Sequence, residues 1–382
     1  MAIINFWGDV VPFSCDGIKA DRSILNSIEE NYNAINLECP IIEPHFDKIS
    51  KAGPHLSCSE SEADRFFRIS DKWIVNTANN HFSDYGEKGI FKSHQFLSNR
   101  KIIHFGSGEN IEIARSPKFV ALKNNLKVGF LPANEVQFGI AQKFKFGVAG
   151  YDETIFSTIK KIRNECDRLI ISFHAAVESW PLPSPWINKL YKTFIDVGVD
   201  IVWGHHSHVP QPAEYYNNGI IIHGYGNSYA NPRNWKKSAQ RLSGFASVNI
   251  DEMVLLEENW YSLAIENKDL KLAKPEKGLE NLDLNKVLEN YELYQGVWQE
   301  ISIKLYESTF SKYLKKNFET AIRERMLRKE KQYDFSLLYH LFSCESHRQA
   351  IQTFFGLQSG EITDYRSQES AELYNRISNW MA

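Results

Sequence analysis

Five short apolar runs in this chain each stop on a residue able to bind a metal, and that pattern constrains the fold more than any other. Residues 3–7 run into Gly8 and Asp9, 34–37 stop at Glu38, and 73–78 stop at Asn79, Asn80 and His81. Further on, 169–173 stop at His174, and 201–203 run into Gly204, His205, His206, Ser207 and His208. Each run is rich in Ile, Val and aromatic residues, as buried strands are. In open α/β sheets the functional residues gather just past the carboxyl ends of the strands. The stops are therefore expected to converge, bringing carboxylates, an amide and several imidazoles to one place.

The 382 residues allow a large core and a further domain. With 44 basic and 47 acidic side chains the net charge is −3, and no long basic run occurs, which argues against nucleic acid as a partner. The opening MAIINFWGDVVPF has no basic segment before its apolar stretch, so a signal peptide is not expected. No uncharged apolar stretch is long enough for a membrane span. The cysteines (Cys15, Cys39, Cys58, Cys166, Cys344) are odd in number and lack CxxC spacing, so neither a disulfide framework nor a zinc knuckle is expected. A reducing cytoplasm is the simplest expectation.

Strand and helix patterns alternate up to residue 265. Helices are expected over 21–31, 87–99 and 152–165, and a hairpin around Asn124 and Asn125. Another helix should open at Ser184 and Pro185 and close before Gly198. Residues 219–225 and 245–265 read as β structure. This is an α/β sandwich pattern without repeats. At 266 the sequence turns polar, and ENKDLKLAKPEKGLENLDLN, 266–285, reads as a linker. Beyond it, apolar residues recur at helical spacing, so 286–382 is expected to be a helical appendage. Tyr291, Tyr294, Trp298, Tyr306 and Phe310 form an aromatic stripe that is expected to pack against the core.

The segment NTANNHFSDYGEKG supplies an amide at Asn80 and an imidazole at His81, with Asp84 three residues on, placed to accept from the ring. GHHSHVPQP is the stronger signal. Histidines set together and partly desolvated repel one another when protonated, and a metal relieves that cost. The spacing of His206 and His208 predicts two rings on one side of an extended segment. An Asp after a strand is ordinarily a turn residue and a lone Glu ordinarily solvated, so Asp9 and Glu38 gain meaning only from the set.

With these residues in place the chain resembles the capsule-associated CapA proteins, implicated in poly-γ-glutamate and capsule production and related to the calcineurin-like metallophosphoesterases. The resemblance rests on GDVV (8–11), NLECP (36–40), ANNHFSDYG (78–86), HAAVE (174–178), GHHSHVPQP (204–212) and GYGN (224–227), and covers residues 1–265. It implies a four-layer α/β/β/α sandwich with a two-metal site at the strand ends. Carried over by motif, Asp9, Glu38, Asn80, His174, His206 and His208 are the expected ligands. His81, held by Asp84, is the expected general acid, and His205 and Glu178 are the further residues expected to be catalytic. Hard oxygens with imidazoles suit Mn, Fe, Zn or Mg. The sequence departs from the phosphoesterase pattern at Val11, where a histidine is usual, so one of two metal positions is expected to bind weakly. Ala176 stands where the HxGxE segment has glycine, and GYGNS replaces SLGNF.

Three functions compete on this evidence. One is a metal-dependent hydrolase or transferase acting on a polymeric or peptide substrate. Another is a peptide epimerase that uses His81 and a second histidine. The third is a noncatalytic component of capsule assembly that keeps the pocket.

Overall fold

The computed structural model describes residues 1–235, 237–275, 278–315 and 332–382. Two large sheets lie face to face. The larger, of eight strands, runs Ile18–Lys19, Asp269–Ala273, Val254–Glu266, Leu242–Asn249, Ile3–Val10, Tyr32–Leu37, Trp73–Asn76, Ile103–Phe105. Its last four strands are parallel. The smaller, of six, runs Pro210–Tyr216, Gly219–Tyr225, Ile201–His205, Arg168–His174, Lys127–Asn134, Lys118–Ala121. Its four middle strands are parallel. Strands covered on both faces read as unbroken apolar runs, which is why the runs showed in the sequence.

Alternation along the first strand builds two layers at once. Ile4 and Phe6 face the second sheet and join a core with Phe130, Ile170, Ile201 and Trp203. Trp7 and Val10 point outward, among Ile28, Phe66 and Ile90 of the helices Arg22–Glu30, Glu60–Phe67 and Gly86–Asn99. On the far side, helices Thr154–Ile162 and Pro185–Asp196 cover the smaller sheet through Ile159, Leu190 and Phe194. The order is helix, sheet, sheet, helix: the four-layer sandwich expected. Phe6 meets Trp203 edge to face at 5.6 Å, and the Trp203 indole donates to the Trp7 carbonyl at 2.7 Å. Burying one such side chain contributes roughly 1.5–3 kcal/mol, so the sheets are locked together beside Asp9.

Local signals performed as read. Ser184 Oγ accepts from the Ile187 amide, Pro185 opens the helix, and Gly198 takes φ +108 after it. The helix expected from Asp152 begins at Thr154; the Asp152 carboxylate accepts from the Thr154 amide at 2.9 Å in the turn that precedes it.

The segment read as a linker is a correction. Asp269–Ala273 pairs antiparallel with Val254–Glu266 and extends the larger sheet, and Leu279–Leu282 and Leu284–Glu289 are short helical turns. The boundary at 265 thus falls inside a hairpin. Leu270 and Leu272 are buried while Lys271 points out, a strand alternation too short to stand out among polar neighbours.

Beyond it, helices Tyr291–Leu305, Gln332–Ser343, Glu345–Ser359 and Gln368–Met381 form the tail. The tail shares a core with the sandwich, in which Val297, Trp298 and Ile377 pack with Val177, Trp180, Leu182 and Leu242. Tyr294 donates to the Pro183 carbonyl at 2.8 Å. Of the aromatic stripe, Trp298 and Phe310 are buried and Tyr306 stacks on Phe354, whereas Tyr291, in the first turn, is exposed. Among the described residues no helix is long and apolar enough to cross a membrane, and all five cysteines are free.

Candidate metal centre

The carboxyl ends of both parallel sets open on one edge of the sandwich. Register makes this concrete: Asn134, His174 and His205 stand side by side on neighbouring strands, and Asp9 stands opposite Asn36. Six residues of the expected ligand set meet there. His174 Nε2 lies 3.0 Å from Asn80 Oδ1 and 3.5 Å from Glu38 Oε1. His208 spans both carboxylates, with Nδ1 3.6 Å from Asp9 Oδ2 and Nε2 3.8 Å from Glu38 Oε1. The Glu38, His174 and His206 donors lie within 4.8 Å of one another, as do those of Asp9, Glu38 and His208 and those of Glu178, His206 and His208.

The donor set fits a cation by its own electrostatics. Burial raises the Asp9 carboxyl above its ordinary value, opposed by His208. Glu38 is raised further, by burial and then by the Asp9 charge. His174 and His206 are pushed well below the ordinary histidine value, by burial and then by neighbouring imidazoles. Each group is thus held toward its neutral form first by burial and, for Glu38, His174 and His206, next by neighbouring groups of the same charge type. Glu38 Oε1 and His206 Nδ1 are buried with no hydrogen-bond partner among the described residues. Unpaired buried polar atoms are costly, and a divalent ion among them would answer both costs. Val11 offers no donor: its amide bonds to the Tyr229 carbonyl and its side chain packs in the outer core.

His206 and His208 converge by a route the sequence did not suggest. Both take left-handed backbone, φ +83 and φ +55, so two sharp turns, rather than strand alternation, aim the rings, whose centroids lie 5.7 Å apart. Such conformations cost on the order of 1–3 kcal/mol each and cluster at functional sites. His205 is placed differently. It sits below Asp9, its Nδ1 3.6 Å from Asp9 Oδ1 and its Nε2 3.0 Å from Ser172 Oγ, and burial lowers it to about 3. It is fully buried and is not among the residues that line the cleft.

His81 lines the adjoining cleft. Its Nδ1 is 2.8 Å from Asp84 Oδ2, as the spacing predicts, and 3.1 Å from Lys51 Nζ. Lys51 also forms a buried ion pair with Asp84. Burial lowers both His81 and Lys51 from their ordinary values. Lys51 escaped notice in the sequence because ISKAGP carries no pattern. Gln137, 3.0 Å from His206 Nε2, escaped as a single polar residue; Asn36, which donates to Asp9 at 2.7 Å, and Asn227, 3.0 Å from His208 Nδ1, stand in NLECP and GYGN, where the sequence assigned them no role. The cleft is about 540 Å3, with Asn80, His81, Glu178 and His208 on one side and Phe310, His340, Leu341 and His347 of the tail on the other. A wider concavity beside Tyr85 and Phe91, about 700 Å3, holds none of the candidate donors.

The chain is 29% identical to the capsule biosynthesis protein CapA of Bacillus anthracis, over 52% of this chain and 50% of that one. It is 27% identical to the PGA biosynthesis protein CapA of Bacillus subtilis, over 55% and 57% respectively. It thus spans about half the length of the curated relatives it matches. Among solved structures, a putative 5′-nucleotidase from Staphylococcus aureus in complex with alpha-ketoglutarate superposes with a TM-score of 0.42 and 13% identity, covering 75% of this chain and 58% of that chain. That likeness is too slight to argue from. The family model described as bacterial capsule synthesis protein PGA_cap matches residues 18–232, more than half of the chain, and takes in every candidate ligand but Asp9, so the chain belongs to that family.

Proposed function

We propose that the protein is a metal-dependent hydrolase or transferase acting on a peptide-like or polymeric substrate in capsule or poly-γ-glutamate metabolism. The observation that carries this is Glu38 Oε1, buried, without a hydrogen-bond partner among the described residues, and faced by His174 and His208. Asp9, Glu38, Asn80, His174, His206 and His208 would hold the metal, with one position short of a ligand at Val11. A divalent ion there supplies Lewis acidity and lowers the pKa of a nearby water.

The chain's own part is to place a proton. His81 Nδ1 has a donor, Lys51, on one side and an acceptor, Asp84, on the other. The ring can therefore present Nε2 as N–H or as a lone pair, which suits giving a proton to a leaving group and regaining it. Glu178, its side chain 56% exposed and 3.7 Å from His206 Nε2, offers a carboxylate at the cleft. The tail wall narrows entry, which suits flexible chains as substrates.

Metal content of the purified protein, before and after extensive dialysis, tests the reading. One tightly and one loosely held divalent ion are expected, both reduced in Asp9→Ala and His206→Ala. Protein supplied with Mn, Zn or Fe that binds none, and whose stability ignores chelator, would overturn it. The two-sided setting of His81 Nδ1 also favours proton exchange at a peptide α-carbon. Solvent deuterium entering that carbon without cleavage would select the epimerase.

A further inference from the structure

Another set of ligand-type side chains lies outside the family match, on the tail. His340, Cys344 and His347 each present one ligand atom, all within 4.8 Å of one another. His340 and His347 lie on the helices Gln332–Ser343 and Glu345–Ser359, and Cys344 is the residue between them. On an unbroken helix these positions share one face; the turn at Cys344 folds that face inward, so the two imidazoles meet edge to face at 4.7 Å.

Independent features point to a ligand. Nδ1 of both rings is buried and has no hydrogen-bond partner among the described residues. The rings are held from outside: Phe138 stacks on His340 at 4.6 Å, and Phe310 packs on His347 at 5.2 Å. Burial, and after it the Glu135 charge, raise the Cys344 thiol well above its ordinary value, opposed by the amides of His347 and Ser346, so a metal must displace its proton. Glu135 accepts from that thiol and is itself fixed by the Ser346 amide and hydroxyl, at 3.0 and 2.9 Å.

We propose that His340, Cys344 and His347 form a separate site for a divalent transition ion of the zinc class, on the tail wall of the cleft. Two imidazoles and a thiolate are the donors zinc and cobalt take, unlike the oxygen-rich set around Glu38. Zn–N of about 2.0–2.1 Å and Zn–S of about 2.3 Å place tetrahedral donors roughly 3.3–3.6 Å apart, a spacing that side-chain rotation can reach from the separations observed. On binding, the S–H bond is replaced by an S–metal bond and the proton passes to the buffer. Three protein ligands leave one position open, as in catalytic rather than structural zinc sites. The tail would then bring its own Lewis acid to the cleft.

Cobalt(II), added to the full-length protein, is the probe. A thiolate-to-cobalt charge-transfer band in the near ultraviolet reports this site and not the carboxylate, amide and imidazole site across the cleft. The wild type should show the band at stoichiometric cobalt, with proton release to the buffer. Cys344→Ser and His347→Gln should each lose the band while keeping the cobalt that Asp9→Ala removes. If Cys344→Ser fails to fold, His347→Gln alone carries the test. No band in the wild type overturns the proposal; so does a band that survives Cys344→Ser, since another cysteine would then be the ligand, or one unchanged in His347→Gln, since His347 would then not be a ligand. Either failure leaves the family site untouched, because Asp9→Ala and His206→Ala probe that one separately.

Discussion

Around His81 a few side chains settle how the cleft can work. Lys51 is buried against Asp84 and the His81 ring, and burial, opposed by Asp84, lowers its pKa. A paired buried charge adds little net stability, but removing one partner strands the other and costs about 3–5 kcal/mol. Lys51→Met should therefore destabilise the protein by about that much in urea unfolding, and Lys51→Met/Asp84→Asn should recover most of it. A single variant within about 0.5 kcal/mol of wild type, as surface changes are, would show that Asp84 does not depend on Lys51. His81→Ala should lower turnover roughly 10²- to 10⁴-fold, the usual contribution of a general acid, with metal content nearly unchanged. Loss of metal in that variant would make His81 a ligand instead. The candidate ligands were legible because each ends an apolar run. Lys51 and Gln137 were not: an isolated polar residue shows its role only when distant segments bring it a partner. The left-handed turns at His206 and His208 were hidden too, since the HxH spacing says nothing of backbone hand.

Among the elements, the approach of the first strand to the second sheet decides where Asp9 stands. The Asp9 amide donates to the Gly226 carbonyl at 2.8 Å, and a Cβ on Gly8 would lie 2.2 Å from that same oxygen. Gly226 itself takes φ +64, a conformation that suits glycine. The GD and GYGN segments are thus two halves of one crossing between sheets, a link that no local pattern in either could express. Gly8→Ala must push the strands apart at the residue before Asp9. It should cut metal content as far as Asp9→Ala does while the far-ultraviolet circular dichroism stays close to wild type. Full metal occupancy in Gly8→Ala would mean that the Asp9 carboxylate is not fixed by this crossing. The paired strand Asp269–Ala273 was missed for a related reason. Its two buried leucines gain meaning only from the neighbour they lie against, whereas strands covered on both faces declare themselves.

At the scale of the whole molecule, the tail and the sandwich share one apolar core. Trp180 and Leu182 of the α/β region are buried among Val297, Trp298 and Ile377, and the Trp180 ring stacks on Tyr374 at 5.8 Å. Burial of each such side chain contributes roughly 1.5–3 kcal/mol, and a domain's net stability is only about 5–15 kcal/mol. Uncovering several at once should therefore exceed what the sandwich can lose. Two truncations separate the possible causes. A chain ending at residue 265 loses both the tail and the strand Asp269–Ala273, whereas one ending at 274 keeps that strand and loses the helices alone. If the shared core decides, both fragments aggregate and expose apolar surface to a dye such as ANS. If that strand decides, the 1–274 fragment is soluble and monomeric, and only the shorter one aggregates. A soluble 1–265 fragment with full metal content would make the tail an independent module, and the cleft it walls would then be a contact between two modules rather than a pocket of one.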